Sequence, residues 1–303
     1  MEFFHKKTSF PFMATRKVWY ALSIVLMVVS FASFFARGLN FAIDFTGGIS
    51  VEATFPQQVD PGAVRKAVVS AGFHDPQVKN LGSTRDVSIE LQSTGQTSEQ
   101  VRPLFQAALS KIDPGVRITS LGVVGPQVGD ELRYSAIVSL AVTLVLIALY
   151  IILRFHTWRL SLGAILAVMH DPILVLGVFS VTQTKFDLPV VAAILAVIGY
   201  SLNDTVIVFD RIRENFEKNR RQASNITLDQ AINQTLSRTI MTKVTTSIVV
   251  VMLLLLGGEA LLIGIVAGTY SSIWISSAVA LSCGLKAEHV FPPVRKDPLD
   301  QLP

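Results

Sequence analysis

Leu188-Pro-Val-Val-Ala-Ala-Ile-Leu-Ala-Val-Ile-Gly-Tyr-Ser-Leu-Asn-Asp-Thr-Val-Ile-Val-Phe209 runs the depth of a bilayer with one charged side chain, Asp204. A lipid core about 30 Å thick needs roughly 20 apolar residues as helix, because only a helix satisfies its own backbone there. Five further runs have the same character. Residues 18–36 and 134–153 are uncharged, 160–184 is apolar except for His170 and Asp171, 239–256 holds Lys243, and 260–285 carries no charge. Only Gly257-Gly258-Glu259 separates the last two, which predicts a tight helical hairpin. The fold class that follows is an all-α polytopic membrane protein of six transmembrane helices.

Composition agrees. Half of the 303 residues are hydrophobic and 16% are charged, where soluble domains carry about 25%. The charges are bunched, and Lys and Arg gather in the short segments 1–17, 154–159, 210–238 and 286–303, while the opposite short loops offer only Lys185. That asymmetry predicts two cytoplasmic termini, a cytoplasmic loop at 210–238, a cytoplasmic tail at 286–303, and translocation of residues 37–133. Arg37 and Arg133 flank the outer side and dent the pattern without reversing it. The first span reads as retained: its apolar stretch is too long for a signal-peptide core, and Phe34 before Ala36 spoils a small-x-small cleavage site. The formal net charge of +4 is topological in this reading and does not indicate nucleic-acid binding. Cys283 is the sole cysteine and lies in an apolar run, so no disulfide framework or zinc site is available, and no metal or cofactor is expected.

Within residues 37–133 the periodicity changes. Residues 49–55, 77–81, 87–91 and 116–124 read as strands, and 61–71 and 98–112 as helices with one apolar face. The order β-α-β-β-α-β is that of an α+β ferredoxin-like domain inserted outside the membrane. It holds no cluster of Cys, His or paired carboxylates, so a binding or spacer role is expected. Asp44-Phe45-Thr46-Gly47-Gly48 precedes its first strand. With no P-loop lysine and no helix start after it, this motif reads as a tight structural turn joining span to domain.

A charge at mid-membrane costs about 2.5 to 3.5 kcal/mol on insertion scales, so each one needs a partner. Asp204 has Ser201 one turn away and Asn203 adjacent, a polar stripe facing the bundle. Arg238 opens the fifth span with Thr242 four residues on, and it reaches a depth similar to Asp204. In low dielectric a carboxylate alone favours its neutral form and a nearby guanidinium favours the charged one. An Asp204–Arg238 pair therefore fits a proton switch and equally a static tie between helices; arginine snorkelling to head groups is a third reading. His170-Asp171-Pro172 lies where the proline should kink the third span. These two residues either relay toward Asp204 or satisfy one another at the kink, and the sequence favours the second. Gly264 and Gly268 form a small-xxx-small face, continued by Ser271 and Ser272, for helix packing.

Asp44-Phe45-Thr46-Gly47-Gly48, Val124-Gly125-Pro126-Gln127-Val128-Gly129, and Gly199-Tyr200-Ser201-Leu202-Asn203-Asp204 running into Asp210-Arg211-Ile212-Arg213-Glu214-Asn215 resemble the SecF family of protein-export membrane subunits, relatives of the resistance-nodulation-division transporters. The resemblance extends from the first span to Lys286. It implies a non-enzymatic accessory subunit in the bacterial cytoplasmic membrane. With the partner SecD it would draw on the proton motive force to move preprotein delivered by SecA through the SecYEG channel. Asp204, Arg238 and Thr242 match the family's proton-pathway positions, and SecD would supply a further intramembrane aspartate. Two departures stand out: the chain reaches Ile263 soon after Glu259, and Lys243 occupies a position where a small residue is usual. Two rival readings are half of a small-molecule efflux transporter and an intramembrane protease with Asp171 and Asp204 as its dyad. The protease lacks the Gly-x-Gly-Asp context and is opposed by a nearby cation.

Overall fold

The computed structural model describes residues 8–92, 98–155, 157–255 and 266–291. Among the described residues, four helices are long and apolar enough to cross a membrane: α1 (Arg16–Arg37), α5 (Pro126–Arg154), α6 (Trp158–Thr182) and α7 (Leu188–Lys218). A fifth long helix, α8 (Ser224–Leu255), covers most of the expected fifth span. The described part of the last one, α9, is residues 266–282, π-helical at Ser271–Ile275 and α-helical over Ser276–Ser282. Gly264 and the 257–259 hairpin lie outside the described residues. A short helix, α10 (Ala287–Val290), follows.

α6 is the central helix, in contact with α1, α5, α7 and α9. Small residues let its neighbours close in, since lipid supplies no hydrophobic force between helices. A Cβ on Gly163 would collide with the Ser276 carbonyl of α9, and one on Gly177 with Ser30 of α1. Pro172 lies inside α6, which runs through it as one helix. α1 and α5 instead present exposed Val, Leu, Ile and Phe along their lengths, as helices facing lipid or another chain do.

Residues 210–238, the connection expected between the fourth and fifth spans, are mostly helix. α7 extends to Lys218, and α8 starts at Ser224. Here apolar residues at helical spacing outweigh the charges between them: Phe209, Ile212 and Phe216 of α7 and Leu228, Ala231 and Ile232 of α8 are buried in one core. Asn215 Nδ2 donates to Gln234 Oε1 at 3.1 Å across the pair. The N-terminal segment docks on α8, where Asp229 Oδ1 accepts from Met13 N at 2.8 Å and Asn233 Oδ1 from Phe10 N at 3.0 Å.

Between α1 and α5 the chain forms β1 (Asn40–Phe41), α2 (Ile43–Thr46), β2 (Gly48–Thr54), α3 (Pro61–Ser70), β3 (Gln77–Leu81), β4 (Ser83–Gln92), α4 (Ser98–Ser110) and β5 (Arg117–Val124). The sheet order is β3-β4-β2-β5, every neighbour antiparallel. Ile49, Val51 and Ala53 of β2 and Val87, Ile89 and Leu91 of β4 alternate inward onto Val64, Val68, Val101, Phe105 and Leu109 of the two helices, the period-2 pattern of a sheet covered on one face. Outside this core, β1 pairs in parallel with β6 (Lys185–Phe186) of the α6–α7 loop.

Candidate functional site

Asp204 lies on the face of α7 turned to the bundle, 3% exposed, and its neighbour is Lys243 of α8. The ammonium Nζ stands 2.8 Å from Asp204 Oδ2, both side chains being almost fully enclosed. The approach is off the line of an aligned hydrogen bond, so the contact is held by charge and not by direction. Arg238, expected from sequence to be the partner, is exposed and makes no ion pair with Asp204. The reason is helical phase: positions 239 and 243, four apart, share the buried stripe of α8, whereas 238 points away from it. Thr242 Oγ1 donates to the carbonyls of Arg238 and Thr239 within its own helix, at 3.1 and 2.9 Å. Asn203 is exposed, while Ser201 and Thr205 are buried with Asp204.

A second polar group lies between α6 and α9. His170 Nδ1 is 3.1 Å from Asp171 Oδ1, Ser271 Oγ donates to Asp171 Oδ2 at 2.9 Å, and Tyr270 Oη lies 2.7 Å from His170 Nε2. Tyr270 is steadied by α1: Trp19 stacks on it at 5.8 Å between ring centres, and Ser23 Oγ donates to its hydroxyl at 3.4 Å. His170 and Asp171 contact one another, and two residues of α9 complete the set. Sequence reading missed Tyr270 altogether, because a tyrosine in a span carries no charge to draw attention. Asp171 and Asp204 each have partners of their own, so they do not form the shared-proton dyad that an aspartyl protease needs.

The Asp44-Phe45-Thr46-Gly47-Gly48 motif has a mechanical role that spacing alone does not reveal. Asp44 Oδ2 accepts from the backbone N–H of Leu188 at 3.1 Å, alongside the N-cap Asp187, whose Oδ1 accepts from Val190 N at 2.9 Å. Two carboxylates thus sit at the positive end of α7. Burial pushes Asp187 above the usual carboxylate range and the charge of Asp44 adds to this, while the Val190 N–H opposes it. Replacing Asp44 by Ala should lower the stability of the purified protein by about 1 kcal/mol, the usual worth of a capping acceptor. Asn, which keeps the acceptor, should restore most of that in the same thermal melt.

Glu90 of β4 meets the Lys185 ammonium, tying the sheet to the α6–α7 loop. Burial, with the charge of Lys79, pushes Lys185 down from 10.5 to about 8. The ammonium is therefore lost as pH rises through about 8, and the contact with Glu90 is an ion pair only below that. Global stability should not fall with it, because the unfolded lysine keeps its proton up to 10.5 and linkage favours the folded state across that window. Openings of β4 that free Lys185 obey the same linkage, so amide exchange there, corrected for intrinsic rate, should slow as pH rises above ~8, and Lys185→Met should abolish that pH dependence.

Residues 104–286 match the family described as Protein export membrane protein SecD/SecF, C-terminal, and residues 32–59 match the SecD/SecF GG Motif. The chain is 42% identical to the Protein translocase subunit SecF of Haemophilus influenzae, covering 98% of this chain and 94% of that one. It is also 42% identical to the SecF of Pseudomonas aeruginosa, covering 96% and 97%. Among solved structures, the crystal structure of SecDF from Thermus thermophilus, a translocon-associated membrane protein, superposes with a TM-score of 0.79 at 33% identity, over 91% of this chain and 39% of that one. Near-full-length identity to SecF subunits, with the GG motif placed at the foot of α7, settles the classification: the chain belongs to the SecD/SecF family of protein-export membrane proteins.

Proposed function

We propose that this chain is an accessory subunit of Sec protein export that, with SecD, uses the proton motive force to promote preprotein movement across the bacterial cytoplasmic membrane. The observation that carries the proton coupling is the buried Asp204–Lys243 pair. A proton arriving on Asp204 cancels the carboxylate charge and leaves the ammonium buried without a counter-charge, an arrangement costing several kcal/mol. Lys243 must then withdraw toward water or head groups, and α8 moves relative to α7. When the proton leaves, the pair closes again. Titration is thereby converted into helix displacement, a two-state element of the kind that coupling requires.

In this reading the chain has six spans with both termini cytoplasmic, and residues 37–133 form a ferredoxin-like domain on the outer side. The antiparallel β3-β4-β2-β5 order and the β-α-β-β-α-β sequence support that assignment. The domain is tied to the outer end of α7, the helix bearing Asp204, through Asp44 and Lys185. Displacement of α7 and α8 would therefore move it against the emerging preprotein. Arg238, exposed at the cytoplasmic stretch of α8, and Thr242 above it would act in proton entry or exit while SecD completes the path. SecYEG and SecA supply channel and motor in this scheme.

Asp204→Asn tests the proposal. In proteoliposomes with SecD the variant should conduct no protons above background, and in cells it should slow export of a secreted reporter while the subunit accumulates normally. Wild-type export and flux in that variant would contradict proton coupling; normal export of reporter with lost extrusion of a small dye would favour the efflux transporter instead.

A further inference from the structure

We infer that Asp171 is a second proton-carrying carboxylate of this chain, connected to Asp204 through the Ser201 hydroxyl across a gap that Gly268 keeps open. The inference rests on the proton-driven reading above and extends it from one site to two. Asp171 is fully buried, and its Oδ2 faces α9. A Cβ built on Gly268 would stand 3.3 Å from Asp171 Oδ2 and 3.5 Å from Ser201 Oγ, so the carboxylate and the hydroxyl look onto the same small space from α6 and α7. Ser201 is itself fully buried, and its Oγ has no hydrogen-bond partner among the described residues. Such an atom is costly unless it has a purpose. Asp204 is three residues on, one helical turn away on the same face, and its Oδ2 is likewise without an aligned hydrogen bond.

A hydroxyl is both donor and acceptor, and that is what a hop between two carboxylates needs. Once side-chain rotation, or one water in the gap, brings the two within hydrogen-bond reach, the O–H bond of protonated Asp171 breaks as its proton passes to Ser201 Oγ. The proton that Ser201 already held passes to the Asp204 carboxylate. Serine is unchanged, Asp171 becomes a carboxylate and Asp204 becomes neutral, so one proton has moved and no charge is created. The reverse sequence runs equally well. The groups facing Asp171 are His170 on its own helix, Tyr270 and Ser271 on α9, and Ser201 on α7, with the Asp204–Lys243 pair beyond. His170, fixed by Tyr270, and Ser271 are positioning residues: together they hold both oxygens of Asp171 in place. Without them the carboxylate could rotate away from Ser201.

The test separates this relay from a purely structural cluster because the decisive variant removes no structural contact. Ser201→Ala deletes a hydroxyl with no hydrogen-bond partner among the described residues, so the purified complex with SecD should melt no lower than wild type. Flux into proteoliposomes, read with an entrapped pH dye under a valinomycin-imposed potential, should nevertheless fall on the order of a hundredfold, the lower end of what a positioned proton-transfer group contributes. Asp171→Asn keeps an acceptor for Ser271 and a polar neighbour for His170, and should lose flux to the same extent. Gly268→Ala, which places a methyl in the gap, should lower it too. Wild-type flux in both Ser201→Ala and Asp171→Asn, with Asp204→Asn inactive, would overturn the relay while leaving the proton-driven reading intact. Wild-type flux in Asp204→Asn would remove both. Should Asp171→Asn fail to assemble with SecD, Ser201→Ala decides alone.

Discussion

Lys243→Met should destabilise the membrane bundle by about 3 to 5 kcal/mol, the cost of leaving one member of a buried ion pair without its partner. The side chains of Asp204 and Lys243 are almost fully enclosed and 2.8 Å apart. A midpoint shift of the purified complex in detergent reads the loss directly. Asp204→Asn in the Lys243→Met background should recover most of the stability, since no buried charge then remains, and should still conduct no protons. A Lys243→Met protein as stable as wild type would mean that the pair is open in the working protein and that the ammonium lies in water.

Gly129→Ala and Gly47→Ala should each disrupt the joint between the outer domain and α5. A Cβ at Gly129 would lie 2.7 Å from Gly47 N and 3.1 Å from the Phe45 carbonyl carbon, and both of those are backbone that cannot swing aside. One at Gly47 would lie 2.8 Å from Pro126 Cα, and Gly47 also has φ +72°, which is strained for any side chain. Overpacking of this kind costs about 1 to 3 kcal/mol, and because the two residues share one contact their effects should not add. Proteolysis of the outer domain in spheroplasts is the measurement, with rapid cleavage expected for both variants. Gly199→Ala is the control: nothing lies within 4 Å of its Cβ, and in a helix the change should be neutral or favourable.

These glycines also show where sequence reading stops. Gly47 and Gly129 stand in two motifs more than eighty residues apart, and each is legible as a turn or a helix start. That they pack on one another is a tertiary fact no local period encodes. The long apolar helices and the alternation of strands were legible because burial imposes periods of 3.6 and 2 on the chain. In the 210–238 connection, Asp229 to Leu236 reads as amphipathic from sequence, whereas the charges around Ile212 and Phe216 hide the continuation of α7 and its packing on α8. At the site, Asp204 was legible from its cost in lipid. Its partner was not. Arg238 and Lys243 are both cations near the right depth, and the choice between them depends on the rotation of α8, fixed by packing of Leu228, Ile232 and Leu236 against the core. Lys243 looked like an intrusion and is the counter-charge.

Proton coupling through Asp204 is tested most directly by infrared difference spectroscopy of the reconstituted complex with SecD, with and without an inward proton gradient. A carboxylic-acid C=O band should rise when the gradient is imposed and be missing in Asp204→Asn. A difference spectrum in which Asp204→Asn matches the wild type would contradict a protonation cycle at this residue.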